Sequence, residues 1–264
     1  MTTLQIMMRW LRTHRGGLLG WALGLGAAST MYLSFYSTVA KDQELLDQYM
    51  EMMPAEMMSA FGFDDIASPA GYAQSTVYGL IGTILLLIAG MTRGTRAIAG
   101  DEQSGALETE VTAAVNRRQV YTGRALGVTA FVLLLGLVVG FVTAAVNGPA
   151  GLDLPLVNIA AGVAALSLLG LVHALIALAV GAATGRPGVA LAVAIVVAVL
   201  GFFGSNLGPS IMEGVERFAP YHWAFGNSPL DQGPDWAGLG LLVLLSLAAF
   251  VAGLLTFPRR DLGV

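Results

Sequence analysis

Cysteine is absent from the 264 residues, lysine occurs once, and charged side chains make up only 11% of the chain. Each scarcity removes a class of chemistry. Without cysteine there is no disulfide framework, thiol nucleophile or thiolate-held metal. The single lysine, Lys41, stands between Ala40 and Asp42, so the Gly-Lys-Ser/Thr core of a phosphate-cradling P-loop does not exist. This chain is therefore not itself a P-loop ATPase. His14, His173 and His222 are scattered, and no His-Glu-x-x-His pair is present for catalytic zinc. Gly204-Ser205 lacks the Gly-x-Ser-x-Gly surroundings of a serine nucleophile. No catalytic residue, metal site or chain-bound cofactor is expected.

What fills the chain instead is apolar. Hydrophobic residues reach 56% and mean hydropathy is +0.72, far from the roughly 25% charged composition of soluble domains. A spanning helix needs roughly 20 apolar residues at about 1.5 Å rise each. Six stretches qualify, near 17–39, 72–92, 125–147, 156–183, 188–206 and 236–257. None shows the two-residue alternation of a membrane barrel, so the expected fold class is an all-α polytopic membrane protein. The expectation is one transmembrane domain over residues 1–264, with an uncleaved first span despite the faint cleavage-site look of Thr38-Val39-Ala40.

Arginines set the orientation. Eleven of the thirteen basic residues flank one set of span ends: Arg9, Arg12, Arg15, Arg93, Arg96, Arg117, Arg118, Arg124, Arg186, Arg259 and Arg260. By the positive-inside rule that side is the cytosol, which puts both termini inside a bacterial or archaeal cytoplasmic membrane. The outer segments, 40–71 and 207–235, carry most of the acids, so the net charge of −4 conceals two opposed surfaces and implies no nucleic-acid partner.

Before the first span, Leu4, Met7, Met8 and Leu11 recur at helical spacing opposite Arg9 and Arg12, predicting an amphipathic helix on the inner lipid interface. Gly16, Gly20 and Gly24 repeat every fourth residue, a helix-packing face or dimer seam. Gly136 and Gly140 repeat the pattern in the third span. The 40–71 segment predicts an outer cap, with Pro54 opening a short helix. Its Met50, Met52, Met53, Met57 and Met58 fit apolar helix faces rather than a copper site. Ser205-Asn206-Leu207-Gly208-Pro209 breaks the fifth span, and a re-entrant element ending in Tyr221, His222 and Trp223 is expected beyond it.

Two positions suggest a substrate pathway. His173 is the one ordinarily ionisable side chain deep within a span, where polar groups default to function, and Asn206 lies at the broken end of the fifth span.

Residues 93–124 form a charge-dense island between the second and third spans. Leu107, Val111, Ala114 and Val115 make a narrow apolar stripe flanked by Glu108 and Glu110, the shape of a helix that inserts into a partner's groove. Asp101 and Glu102 are expected at the start of that helix, Arg117 and Arg118 at its end.

An acidic residue, a glycine, an amphipathic helix and an arginine-containing turn resemble the coupling segment of type-2 permeases of ATP-binding-cassette (ABC) exporters. Glu102, Gly105, Leu107, Arg117 and Arg124 occupy the matching positions, and Phe257-Pro258-Arg259-Arg260-Asp261-Leu262 is similar to the family's ending. The resemblance implies coupling to a separate ATPase subunit through Glu102, Gly105, Leu107, Glu108, Val111, Val115, Arg117 and Arg118. It also implies ATP and Mg on that partner, a second permease copy or paralogue, contact with membrane lipid, and efflux of a hydrophobic or amphiphilic small molecule. The rival readings are an ion-coupled secondary transporter and a non-transporting scaffold. A lone His173 without a carboxylate partner argues against the first.

Overall fold

The computed structural model describes residues 2–39, 65–105, 116–208 and 214–260, with positions 52, 54, 57, 58, 63 and 212. Among these residues there is no strand, and six helices are long and apolar enough to cross a membrane. The all-α expectation holds.

Helix α1 (Thr3–Thr13) opens on a capping box, in which Thr2 accepts from the Gln5 amide and the Gln5 side chain accepts from the Thr2 amide. Helix α2 (Arg15–Val39) is the first span. The second, α3 (Pro69–Gln103), is capped by Ser68 and begins with proline, whose missing N–H costs nothing in a first turn. Asn116 caps α4 (Arg117–Val146). Helix α5 (Leu156–Thr184) stops at Gly185, which takes the left-handed conformation (φ +66°), and α6 (Pro187–Asn206) starts two residues later. Short helices α7 (Pro220–Phe225) and α8 (Pro229–Gln232) lead to α9 (Trp236–Thr256), capped by Asp235 and extended by a 3₁₀ turn at Phe257–Arg259.

Two helices run past their apolar segments. The island expected over 93–124 contributes two helical turns or more to each neighbour, because Arg93, Arg96, Asp101 and Arg124 lie on helices whose backbones satisfy themselves. Asp101 and Glu102 thus end α3 rather than start a separate helix, and Arg117 and Arg118 begin α4 rather than close one. Both placements run against the helix dipole, so specific partners must compensate.

Helix α5 is the hub. Two thirds (67%) of its apolar window is buried, against 17% for α2 and for α6, and it packs on α3, α4, α6 and α9. The seams rest on small residues. Gly136 and Gly140 of α4 lie against Ser167 and Val163 of α5, so the stripe in the third span packs within the subunit. By contrast, a Cβ at Gly16, Gly20 or Gly24 would meet nothing within 4 Å.

The N-terminal helix packs on the subunit through a second stripe beside the one expected to face lipid. Ile6 and Trp10 are buried on Gly123 and Gly127 of α4, while Leu4 and Met8 are exposed. Two apolar stripes share this helix, and the glycine hollows of α4 select the one carrying the indole.

Of the expected outer cap, most lies outside the described residues. A helical turn does follow Pro54, whose carbonyl accepts from the amides of Met57 and Met58 (2.9 and 3.1 Å). The segment after α6 returns as α7, which packs on α5, α6 and α9. Asn158 of α5 anchors α8 by donating to the carbonyls of Leu230 and Asp231 (3.1 and 2.8 Å).

Candidate functional site

The arginine-rich end closes on a knot of ion pairs. Arg124, about two turns into α4, is 3% exposed and bonds both the Asp101 carboxylate and the Ala97 carbonyl of α3. Glu102, next in sequence, pairs with Arg260 beyond α9. The Arg260 carbonyl in turn accepts from Arg117 (2.7 Å). A Cβ on Gly185 would overlap the Arg260 guanidinium, so that side chain lies across the α5–α6 turn. Four chain segments therefore meet at one polar junction. It answers the dipole conflict: each acid at the C-terminal end of α3 has an arginine against it.

From this junction the chain leaves α3 through Gly105 (φ +73°) and re-enters at Asn116. Leu107, Glu108, Val111 and Val115, proposed from sequence as coupling contacts, lie outside the described residues. Glu102 and Arg117 are inside the knot, Gly105 is at the exit, and Arg118 follows the Asn116 cap. Sequence reasoning used Arg124 and Arg260 for resemblance and orientation but did not pair them. The available signal was a charged residue two turns into an apolar helix.

The second feature is an apolar cavity of about 300 Å³ between α3, α5, α6 and α7. Its walls include Ile84, Leu87, Phe202 and Phe203, with Thr83, His173 and Tyr221 the polar side chains among the lining residues. The width of α3 here is unusual. Over Gln74–Ile81 the helix is π-wound, with the Gly82 amide reaching back to the Val77 carbonyl. Such segments recur at functional sites because they free carbonyls from the α-ladder. Two carbonyls are used: Tyr78 accepts from Thr83 Oγ1, and Gly79 accepts from Tyr221 Oη (2.8 Å). Gly79 is required at this point, since a Cβ there would come within 2.7 Å of the Tyr221 hydroxyl.

Residues 8–258 match the sequence model of the family described as "Multidrug efflux system permease Rv1217c, C-terminal domain". The chain belongs to this family. No curated protein matches it. As an efflux-permease family member with six apolar helices, it is a multi-pass membrane protein and a permease subunit of an efflux system.

In this efflux permease His173, expected on the pathway, lines the apolar cavity at 2% exposure. Its Nδ1 lies 2.8 Å from the Leu169 carbonyl, and its Nε2 is buried with no partner among the described residues. Asn206 lines a smaller, polar cavity of about 90 Å³ with Gln74, Ser75 and Ser205. The two cavities share Gly79 and Tyr221. Tyr221 and Thr83 were missed from sequence; the π-winding that recruits them leaves no mark on composition.

Proposed function

We propose that this chain is the membrane subunit of a type-2 ABC exporter, one permease domain over residues 1–264 with both termini in the cytosol. A separate ATPase subunit, carrying ATP and Mg, docks on the 106–115 segment. Its closure moves α3 and α4 together, and a hydrophobic or amphiphilic small molecule leaves outward. The observation that carries the coupling is the ion-paired junction. It clamps the end of α3, the start of α4, the α5–α6 turn and the C-terminal end into one unit directly beside the segment a partner would push. The reading of N-terminal helix α1 as interfacial follows the same orientation, with Arg9 and Arg12 at the lipid headgroups.

The test is ATP hydrolysis by an ABC ATPase that co-purifies with this chain, reconstituted with it in lipid. Stimulation by the permease, abolished by the double substitution Leu107→Asp/Val111→Asp, is the expected result. Hydrolysis indifferent to the permease overturns the assignment.

A second copy or a paralogue pairs with this chain through the open glycine stripe of α2. Gly20→Ile adds bulk where the subunit itself has none, so monomer folding should persist while dimer on crosslinking and size exclusion falls. A dimer that survives Gly20→Ile places the seam elsewhere.

A further inference from the structure

Among the polar side chains lining the apolar cavity no donor is left free, and one of them, His173, holds an unused acceptor. Each of its three polar side chains commits its hydrogen to a backbone carbonyl. Thr83 Oγ1 donates to Tyr78, Tyr221 Oη donates to Gly79, and His173 Nδ1 lies on the Leu169 carbonyl. A carbonyl only accepts, so Nδ1 bears the proton, and in the neutral imidazole Nε2 is then a bare lone pair. That atom is buried and has no partner among the described residues. A buried acceptor left unmade is costly, which makes it a place where a ligand gains by supplying a proton.

We propose that this cavity binds a lipophilic molecule bearing an N–H or O–H donor, which His173 Nε2 accepts. The inference rests on the efflux reading for its purpose and deepens it by naming the cargo's chemistry. The remaining wall favours the same class: a flat apolar body fits among Leu87, Phe202 and Phe203, and about 300 Å³ holds a molecule of two or three rings. Past Gly79 and Tyr221 lies the polar cavity, and past Gln74 and Phe225 lies a hollow of about 190 Å³ flanked by Asp65 and Asp231.

The test uses purified permease in nanodiscs without ATPase or nucleotide, so that it reads binding whether or not coupling is as proposed. N-phenyl-1-naphthylamine carries one N–H and fluoresces on entering apolar sites; its N-methyl derivative carries none. Saturable binding above empty nanodiscs should favour the N–H probe by about tenfold, the scale of one buried acceptor satisfied. His173→Leu should erase the preference while both probes still bind. His173→Gln should keep it, because the amide can donate to Leu169 and still offer its oxygen. Equal affinities in the wild type, a preference that survives His173→Leu, or no saturable binding of either probe would each overturn the proposal. None of these outcomes bears on ATPase stimulation, which tests the efflux mechanism separately.

Discussion

Replacing Arg124 by leucine should destabilise the permease by about 3–5 kcal/mol, the usual cost of removing one partner from a buried ion pair. The guanidinium is almost fully enclosed and bonds two groups on α3, the Asp101 carboxylate and the Ala97 carbonyl. Leucine fills part of the volume but leaves the Ala97 carbonyl and the partly exposed Asp101 carboxylate without their donor. Asp101 suffers most, because it sits at the C-terminal end of α3, where the dipole already disfavours a negative charge. Arg124→Lys should fall between, since the ammonium keeps the charge but its shorter stem must reach the point from which Nη1 alone bonds both groups. The informative comparison is the double substitution Arg124→Leu/Asp101→Leu, which removes both charges. It should recover much of the loss, because a buried pair exchanged for apolar residues is often close to neutral. Thermal unfolding of the solubilised protein, followed by size exclusion, measures all three. If the double variant is no better than the single, the pair is not what holds this end together.

How much of this was legible beforehand differs by element. The spans were, because a run of some twenty apolar residues has no other stable home. Helix ends were not. Arg93, Arg96, Asp101 and Arg124 read as a loop island because charge is excluded from lipid, yet all four lie on helices, and Arg93, Asp101 and Arg124 find partners there. Arg93, for example, lies over the Phe131 ring at 5.4 Å and fills the hollow above Gly17. The face of α1 was ambiguous for a different reason. Leu4 with Met8 and Ile6 with Trp10 satisfy the same spacing, and only the hollows at Gly123 and Gly127 decide between them. His173 stood out from its isolation alone. Its tautomer follows from the Leu169 carbonyl four residues back, but its cavity depends on the π-winding of α3, where the Gly79 carbonyl accepts from Tyr221, more than a hundred residues away. Local sequence carries no trace of such a contact.

Gly94→Val should be the most damaging single substitution along the α3–α5 seam, at about 3 kcal/mol, the upper end of overpacking costs. A Cβ at Gly94 would collide with the Ala174 carbonyl oxygen of α5 and press on the Ala177 methyl at 3.3 Å. A side chain in the way can rotate, but this obstacle is backbone, fixed within a helix. The two helices must therefore separate, and in lipid no hydrophobic force draws them back, because close packing itself supplies the association. One turn away, a Cβ at Gly90 would likewise come within 3.2 Å of Ala174 Cβ and 3.4 Å of the Gly170 carbonyl, so close approach extends along the seam. Two controls separate this cause from a general intolerance of glycine replacement. Gly240→Ala, on α9 where a Cβ meets nothing within 4 Å, should be neutral or stabilising by about 0.5–1 kcal/mol, as alanine is the better helix residue. Ala174→Gly should fail to rescue Gly94→Val, because it removes a methyl and leaves the carbonyl in place. Monodisperse yield and unfolding midpoint are the readouts, and rescue by Ala174→Gly would show that side-chain volume, not backbone approach, sets the helix spacing. The same seam links the two functional regions, since α3 carries the Asp101–Glu102 junction at one end and the π-wound cavity wall at the other. A partial variant, Gly94→Ala, is therefore expected to weaken ion-pair closure and the His173 cavity together, where damage at either site alone would leave the other intact.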